Sequence, residues 1–306
     1  MDAQQKIKFV LDQLNTVLIG KAEQVQSCLV CLLAGGHLLI EDLPGVGKTT
    51  LAHALARVLG LDFARVQFTT DLLPSDVLGV SVYERDHSSF VFHPGPVFTQ
   101  VLLADEINRA SPRTQSALLE AMEEQQVSID GQTRPLPTPF FVIATQNPLD
   151  QAGTYPLPES QLDRFLMRLS LGYPERQAER QLLQSASDGR TRVQALAPAL
   201  TVHELLGLQQ QVTRMPVSAA LLDYVQDLIA ATRSPAWFAQ GLSPRAGMAL
   251  LRAAQAHALV EGRSYVVPDD VRAVFVYTSA HRLVLLPDCA LGVREQARTL
   301  LQTVPL

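Results

Sequence analysis

Between His37 and Thr50 the chain reads His-Leu-Leu-Ile-Glu-Asp-Leu-Pro-Gly-Val-Gly-Lys-Thr-Thr, and no other stretch constrains the fold as strongly. The first five residues read as a short buried strand. Pro44 and Gly45 turn the chain, and Gly47-Lys48-Thr49 lead into Leu51, Leu55, Val58 and Leu59 at helical spacing. A glycine-rich loop between a strand and a helix N-terminus is the context that a phosphate-binding loop requires. Backbone N–H groups in such a loop converge on the β-phosphate, and the helix dipole adds positive potential. Lys48 can then reach the β- and γ-phosphates, while the Thr49 hydroxyl is placed for Mg²⁺. The general pattern G-x-x-x-x-G-K-[ST] calls for a glycine at residue 42, where this chain has Asp42. The match is to the second half, Pro44, Gly45, Val46, Gly47, Lys48 and Thr49, with Thr50 following. A helix-capping turn with a chance lysine is the bland alternative, and what lies downstream tells against it.

Upstream, Ile7, Val10, Leu11, Leu14 and Val17-Leu18 mark a helix over residues 3 to 18, ended by Ile19-Gly20. A second helix from Lys21 to about Ala34 leads into the loop strand. The segment just before a phosphate loop often lies over the adenine ring, so Leu18, Ile19 and Gly20 are candidates for that apolar seat. Ordinary helix packing would explain the same residues.

The second chemical signature is Val101-Leu-Leu-Ala-Asp105-Glu106. An apolar run closing on two carboxylates describes a central parallel strand whose C-terminal end delivers acids to a site. Asp105 can hold Mg²⁺ through its water shell, and Glu106 can polarise a water attacking the γ-phosphate. Phe140 to Gln146 reads as another buried strand, with Asn147 at its tip able to hydrogen-bond the γ-phosphate and the attacking water. A capping Asn before Pro148 is the alternative there. Two hairpins are expected. One joins Val80–Glu84 to Ser89–Phe92 through Arg85-Asp86-His87-Ser88, and the other joins Val127–Ile129 to Gln132–Leu136 through Asp130-Gly131. Pro158 to Phe165 forms a short helix before a fifth strand, Leu166 to Leu171. Local pairing of Arg164 with Asp163 or Glu159 would be its plain explanation. Beyond Tyr173-Pro174 the pattern predicts a helix over Glu175–Ser187, a linker from Asp188 to Pro198, and then helices, clearest over Leu221–Ala231 and Ser243–Leu259. Ser243 is the N-cap of the last and Pro244 its first turn.

The 306 residues suffice for two domains, and at 47% hydrophobic against 18% charged they are not those of a disordered chain. A net charge of −5 gives no general drive toward nucleic acid. Cys28 and Cys31 form a C-x-x-C inside an apolar helical segment with no second pair to complete a zinc site, a usage that suits a reducing compartment. The N-terminus lacks the apolar core of a signal peptide, and the run from Cys28 to Ile40 is too short to span a bilayer. A cytoplasmic protein is expected.

Taken together, these residues resemble an AAA+ ATPase, with Pro44 to Thr50 as Walker A, Val101 to Glu106 as Walker B, Asn147 as sensor 1, Arg164 as arginine finger and Arg245 as sensor 2. The wording is similar to the MoxR branch, in Gln67–Asp76, His93–Phe98, Asp105–Ala110, Ala144–Pro148 and Leu157–Phe165. The resemblance implies an α/β fold: a five-stranded parallel P-loop sheet with flanking helices over residues 1–190, then a smaller all-α lid over 191–306. It also accounts for both hairpins, since this clade carries a helix-2 insert and a hairpin before sensor 1. It implies ATP or ADP with Mg²⁺, a hexameric homo-oligomeric ring, chaperone-like remodelling or maturation of partner complexes, and a partner carrying a von Willebrand factor A domain. Arg164 would act on a neighbour's nucleotide, whereas Arg245 could act in cis or in trans. Asp42 should alter nucleotide affinity more than chemistry, because its position mostly shapes the turn. Two rival readings remain: a nucleic-acid motor using the hairpins, which their few, offset charges disfavour, and a nucleotide-holding switch without turnover.

Overall fold

The computed structural model describes residues 2–85, 88–148, 153–184 and 189–305. Asp86 and His87 of the first hairpin's connection, the end of the helix expected to Ser187, and Asp188 lie outside the described residues.

Two helices, α1 (Ala3–Val17) and α2 (Ala22–Leu33), lead into β1 (His37–Glu41) and α3 (Lys48–Val58). Then come β2 (Phe63–Gln67), α4 (Pro74–Leu78), the hairpin β3 (Gly79–Glu84) and β4 (Ser89–Pro94), β5 (Val101–Asp105) and α5 (Pro112–Glu124). The second hairpin pairs β6 (Gln126–Ile129) with β7 (Gln132–Pro135), and is followed by β8 (Phe141–Gln146), α6 (Glu159–Leu162) and β9 (Phe165–Leu169). The rest is helical: α7 (Arg176–Gln184), α8 (Gly189–Gln194), α9 (Val202–Arg214), α10 (Ala219–Thr232), α11 (Pro244–Val260), α12 (Pro268–Ser279) and α13 (Val293–Thr303).

The central sheet has the order β2-β5-β8-β1-β9, with every pairing parallel. Its inner strands read Val-Leu-Leu-Ala-Asp and Phe-Val-Ile-Ala-Thr-Gln because helices cover both faces, so neither face of the strand can be polar. The edge strand β2, Phe-Ala-Arg-Val-Gln, keeps polar residues at alternate positions. Strand β1 lies between β8 and β9, so the loop leaving its C-terminal end opens where the strand order reverses, the position at which open α/β sheets bind ligands.

One hydrophobic cluster runs from α1, α2 and α3 into α9 to α12, so the C-terminal helices dock on the sheet layer instead of hanging from a tether. The stretch expected to be a linker is part of that docking. Helix α8 lies within it, Val193 and Leu196 are buried, Arg57 Nε donates to the Leu196 carbonyl at 3.1 Å, and Ala199 N donates to Val58 O. Its polar composition hid two anchoring apolar side chains. Arg282, beyond α12, is 6% exposed and donates from Nε to Asp163 Oδ1 at 2.6 Å and from Nη2 to Phe165 O at 2.8 Å. This ties the helical region to the start of β9.

Two buried histidines sit at the same end of the sheet. The Val142 N–H donates to His37 Nδ1 at 3.0 Å, which leaves His37 Nε2 as the proton carrier facing Met122 O at 3.2 Å. His281 Nε2 faces Phe165 O at 2.9 Å. Burial pushes His37 down to about 4 and lowers His281 in the same direction. Because the folded value lies below the unfolded one, the unfolded chain binds more protons between the two. The contribution is therefore complete above about pH 6.5 and disappears as the pH falls toward 4. Between pH 7 and pH 5, urea unfolding should show the wild type losing about 2 kcal/mol more than His37→Gln; equal losses would place the acid sensitivity elsewhere.

Candidate nucleotide site

The loop after β1 is built on two left-handed glycines. Gly45 has φ +84° and Gly47, capping α3, has φ +99°, conformations open to residues without a Cβ. Pro44 and Gly45 are exposed, while Val46, Lys48, Thr49 and Thr50 are half-buried at the start of α3. Lys48 Nζ donates to the carbonyls of Asp42 at 2.7 Å and Leu43 at 3.1 Å, so the ammonium is folded back over its own loop. Burial lowers its pKa, opposed by the carboxylates of Asp105, Asp42 and Glu106. Leu18 is buried, with its Cδ2 3.9 Å from where a Cβ on Gly47 would stand. Gly20 lies so close to Ala178 of α7 that a Cβ would come within 2.6 Å of it, and Ile19 is half-buried between them in sequence. Of the three residues expected to seat the base, Leu18 is brought to the loop and Gly20 packs against α7.

Asp105 and Glu106 sit where β5 ends. Asp105 is 8% exposed and both its oxygens are engaged: Oδ1 accepts from Thr145 Oγ1 at 2.6 Å, and Oδ2 from Arg65 Nη2 at 2.6 Å and Nε at 3.2 Å. Glu106 has φ +56° and ψ +49°, a left-handed conformation that costs a non-glycine residue about 1–3 kcal/mol and recurs at functional sites. Its N–H is held by Thr145 Oγ1 at 2.9 Å, and its Oε2 by Gln67 Nε2 at 3.0 Å and Arg109 Nε at 3.1 Å. Asn147 follows β8 directly and lines, with Glu41, Asn108 and Gln146, a cleft of about 520 Å³ at the C-terminal ends of the strands. Among the described residues no cluster of three His, Cys, Asp or Glu side chains could hold a metal alone. A divalent ion here would take most of its ligands from phosphates and water, as Mg²⁺ does. Thr49 and the Asp105 carboxylate, which already holds a cationic group, are chemically suited to supply the remainder.

Arg164 and Arg245 lie elsewhere. Phe165 pairs in register with His37, so Arg164 stands at the N-terminal edge of the sheet, one full strand, roughly 13 Å, from the loop that follows Glu41. Arg164 forms an ion pair with Glu123 Oε2, and its Nη1 donates to Leu119 O at 3.2 Å. Arg245, in the first turn of α11, shares Glu123 through Oε1 at 3.1 Å and approaches Asp163 at 3.8 Å. Both line a second cleft, of about 400 Å³, with Glu123, Arg252 and Arg282. The loop and the two acids therefore cluster at one edge, and the two arginines at the other.

Sequence reasoning missed Arg65, Gln67, Thr145 and Arg109 around the acids, and Glu123 beneath the arginines. For Arg65 and Gln67 a signal existed: they alternate on one face of an edge strand, and parallel pairing sets Gln67 beside Asp105. Nothing in the local sequence announces Glu123.

The comparisons with known proteins bear on the family and the fold. Residues 37–167 match the family described as ATPase family associated with various cellular activities (AAA), and residues 230–303 match an AAA lid domain. The chain is 46% identical to the uncharacterised protein YeaC of Bacillus subtilis, over 94% of this chain and 90% of that one. It is 45% identical to Chaperone MoxR1 of Mycobacterium tuberculosis, over 90% of this chain and 75% of that one. A crystal structure of a candidate ATPase from Cytophaga hutchinsonii superposes with a TM-score of 0.91 at 37% identity, covering 99% of this chain and 95% of that one. With its five-stranded parallel sheet, its phosphate loop and its helical lid, the chain belongs to the MoxR family of AAA+ ATPases.

Proposed function

We propose that this protein hydrolyses ATP at the interfaces of a closed homo-oligomeric ring, most simply a hexamer, and uses the cycle to remodel or mature partner protein complexes in the cytoplasm. The observation that carries this reading is the separation of the phosphate loop and acids at one sheet edge from Arg164 and Arg245 at the other. A single chain cannot close the site on itself. Head-to-tail stacking brings one copy's arginine edge onto the next copy's acid edge, and a heterologous contact of that kind closes as a ring. In this reading Arg245 serves in trans, because it shares Glu123 with Arg164. The helices beyond about residue 190 act as the lid.

Within each site the residues divide the work. Lys48 exchanges its two carbonyl partners for phosphate oxygens, with Pro44 to Thr50 supplying the cradle. Thr49 and Asp105 would hold Mg²⁺, which would neutralise phosphate charge when bound. Glu106 polarises the attacking water once Gln67 and Arg109 release it, and Asn147 hydrogen-bonds the γ-phosphate and that water. Leu18, Ile19 and Gly20 seat the base. Arg164 of the neighbouring copy stabilises charge on the transferring phosphate, an effect of about 10³–10⁵-fold in other nucleotidases. The presence of Glu106, Asn147 and Arg164 favours turnover over a static nucleotide switch.

A protein client suits the first hairpin, which exposes Val80, Val82, Tyr83 and Phe90. A nucleic-acid track suits the second hairpin poorly: Arg134 lies 4.0 Å over the Phe92 ring and donates to Gln132 Oε1 at 2.6 Å, so its guanidinium is already engaged. One relative is named a chaperone, Chaperone MoxR1, which supports a protein client; a partner with a von Willebrand factor A domain is part of the same proposal.

Turnover per chain should rise with protein concentration, and Glu106→Gln should bind ATP without hydrolysing it; flat turnover would exclude the shared site. Lys48→Ala and Arg164→Ala should each be inactive alone, yet mixing them should restore activity at roughly a quarter of the interfaces in a statistically mixed ring. No recovery on mixing would return both residues to one copy. Arg65 competes with metal for Asp105 across a half-exposed pair, which limits its strength to that of a surface ion pair. Arg65→Gln should therefore lower the Mg²⁺ concentration for half-maximal nucleotide binding by about threefold, read by titration without turnover, whereas an unchanged requirement would leave Arg65 a bystander.

A further inference from the structure

Asp42 stands where the phosphate loop's general pattern has a glycine, and one oxygen of its carboxylate turns away from the loop toward residues 170–172. It is 7% exposed, and Oδ2 accepts from the N–H groups of Leu171 and Gly172, the latter at 2.7 Å, and from Ser170 Oγ at 3.2 Å. Oδ1 accepts from Leu43 N at 3.0 Å, while its backbone carbonyl holds the Lys48 ammonium. The segment that Asp42 grips is gripped again from the opposite side. Lys21, 9% exposed at the start of α2, donates from Nζ to Leu171 O at 2.6 Å and to Tyr173 O at 2.8 Å. The peptide unit joining Leu171 to Gly172 therefore gives its N–H to a buried carboxylate and its C=O to a buried ammonium. Each hydrogen bond is charge-assisted, and the peptide dipole is aligned between the two charges. Lys21 directly follows Leu18, Ile19 and Gly20, and Asp42 directly precedes the loop. One peptide thus fixes three pieces of chain relative to one another: the base-seat residues 18–20, the segment 170–173, and the phosphate loop.

We propose that Asp42 and Lys21 are positioning residues for nucleotide binding, a charge-bridged brace that holds the base seat at a fixed distance from the phosphate loop. The inference rests on the nucleotide reading above and adds to it the device that sets nucleotide affinity. A glycine at residue 42 would leave Lys21 as a buried cation without its answering anion. The side-chain brace acts on residues 170–173 beside the base seat, whereas Asp42 meets Lys48 through a backbone carbonyl that side-chain variants keep, so loosening the brace penalises ligands that carry a base and spares those that do not.

The test compares ADP with pyrophosphate by calorimetry on wild type, Asp42→Asn, Lys21→Met and the double variant, with thermal melts to confirm folding. Each single variant should weaken ADP by about tenfold while pyrophosphate stays within about twofold. The double variant should lose less than the product of the two, because the charges answer one another. In steady state the loss should fall on KM more than on kcat. Equal weakening of ADP and pyrophosphate would show that Asp42 shapes the phosphate loop itself, and no weakening of either would remove the brace; both overturn the proposal. Should the charge variants fail to fold, Ser170→Ala removes only the hydroxyl donor and carries the same test, with about a threefold effect on ADP expected and none refuting the brace. A wild type that binds no ADP, or a Lys48→Ala that binds it as well as wild type, would instead refute the nucleotide reading.

Discussion

All five strands of the central sheet run the same way, so its two edges cannot be chemically alike. Four of the five end on Glu41, Gln67, Asp105 and Gln146, each delivered to one rim, whereas three of the five begin on Val101, Phe141 and Phe165 at the other. Helix α5 runs back from the acid rim and ends near the opposite one, where Glu123 receives Arg164 and Arg245. A five-residue strand is longer than an arginine side chain reaches. Once the strands are parallel, an arginine placed before β9 stands beyond reach of the loop that follows β1 in its own chain, and strand direction sets that separation more than any single contact.

Burial sorts the charge pairs into those that can exchange and those that hold. Arg109 with Glu106 and Arg245 with Glu123 are partly exposed on both sides, and Arg65 is half-exposed although its partner Asp105 is buried; a solvated ion pair contributes about 0–1 kcal/mol and gives way easily. The hydrogen bonds made by Asp42 and Lys21 are buried, where removing one charge leaves the other uncompensated at about 3–5 kcal/mol. The exposed pairs can exchange partners, and the buried ones hold the frame. Glu106 stands between the two classes: its left-handed backbone is fixed by Thr145, while its carboxylate rests on polar partners that can leave.

Most of the frame was legible because it rests on local rules. Periodicity gave the strands to within a residue or two, and Ser243-Pro244 opened α11 as a cap and first turn should, with Ser243 Oγ accepting from Ala246 N at 3.1 Å. What stayed hidden depends on residues far apart in the chain. Asp42 read as a flaw in a motif because its partners lie about 130 positions away, and Glu123 looked like one more helix carboxylate until β9 and α11 converged on it. The polar stretch after residue 188 read as a linker because a composition count does not register that two apolar side chains suffice to dock a short helix on α3.

The lid's attachment follows from the same geography. Arg282 is almost fully buried and holds Asp163, Phe165 and Leu166 through side-chain and carbonyl oxygens, and Arg168 of β9 reaches Ala280 O at 3.3 Å. These residues bracket Arg164. A displacement at the end of α12 is therefore delivered to the segment that carries Arg164, with Asp163 as the shared carboxylate between Arg282 and Arg245. Because that joint is buried and multiply hydrogen-bonded, it transmits motion as a unit, while the exposed Arg245–Glu123 contact can slip. The C-terminal helices and the arginine edge thus move as one body about this buried joint.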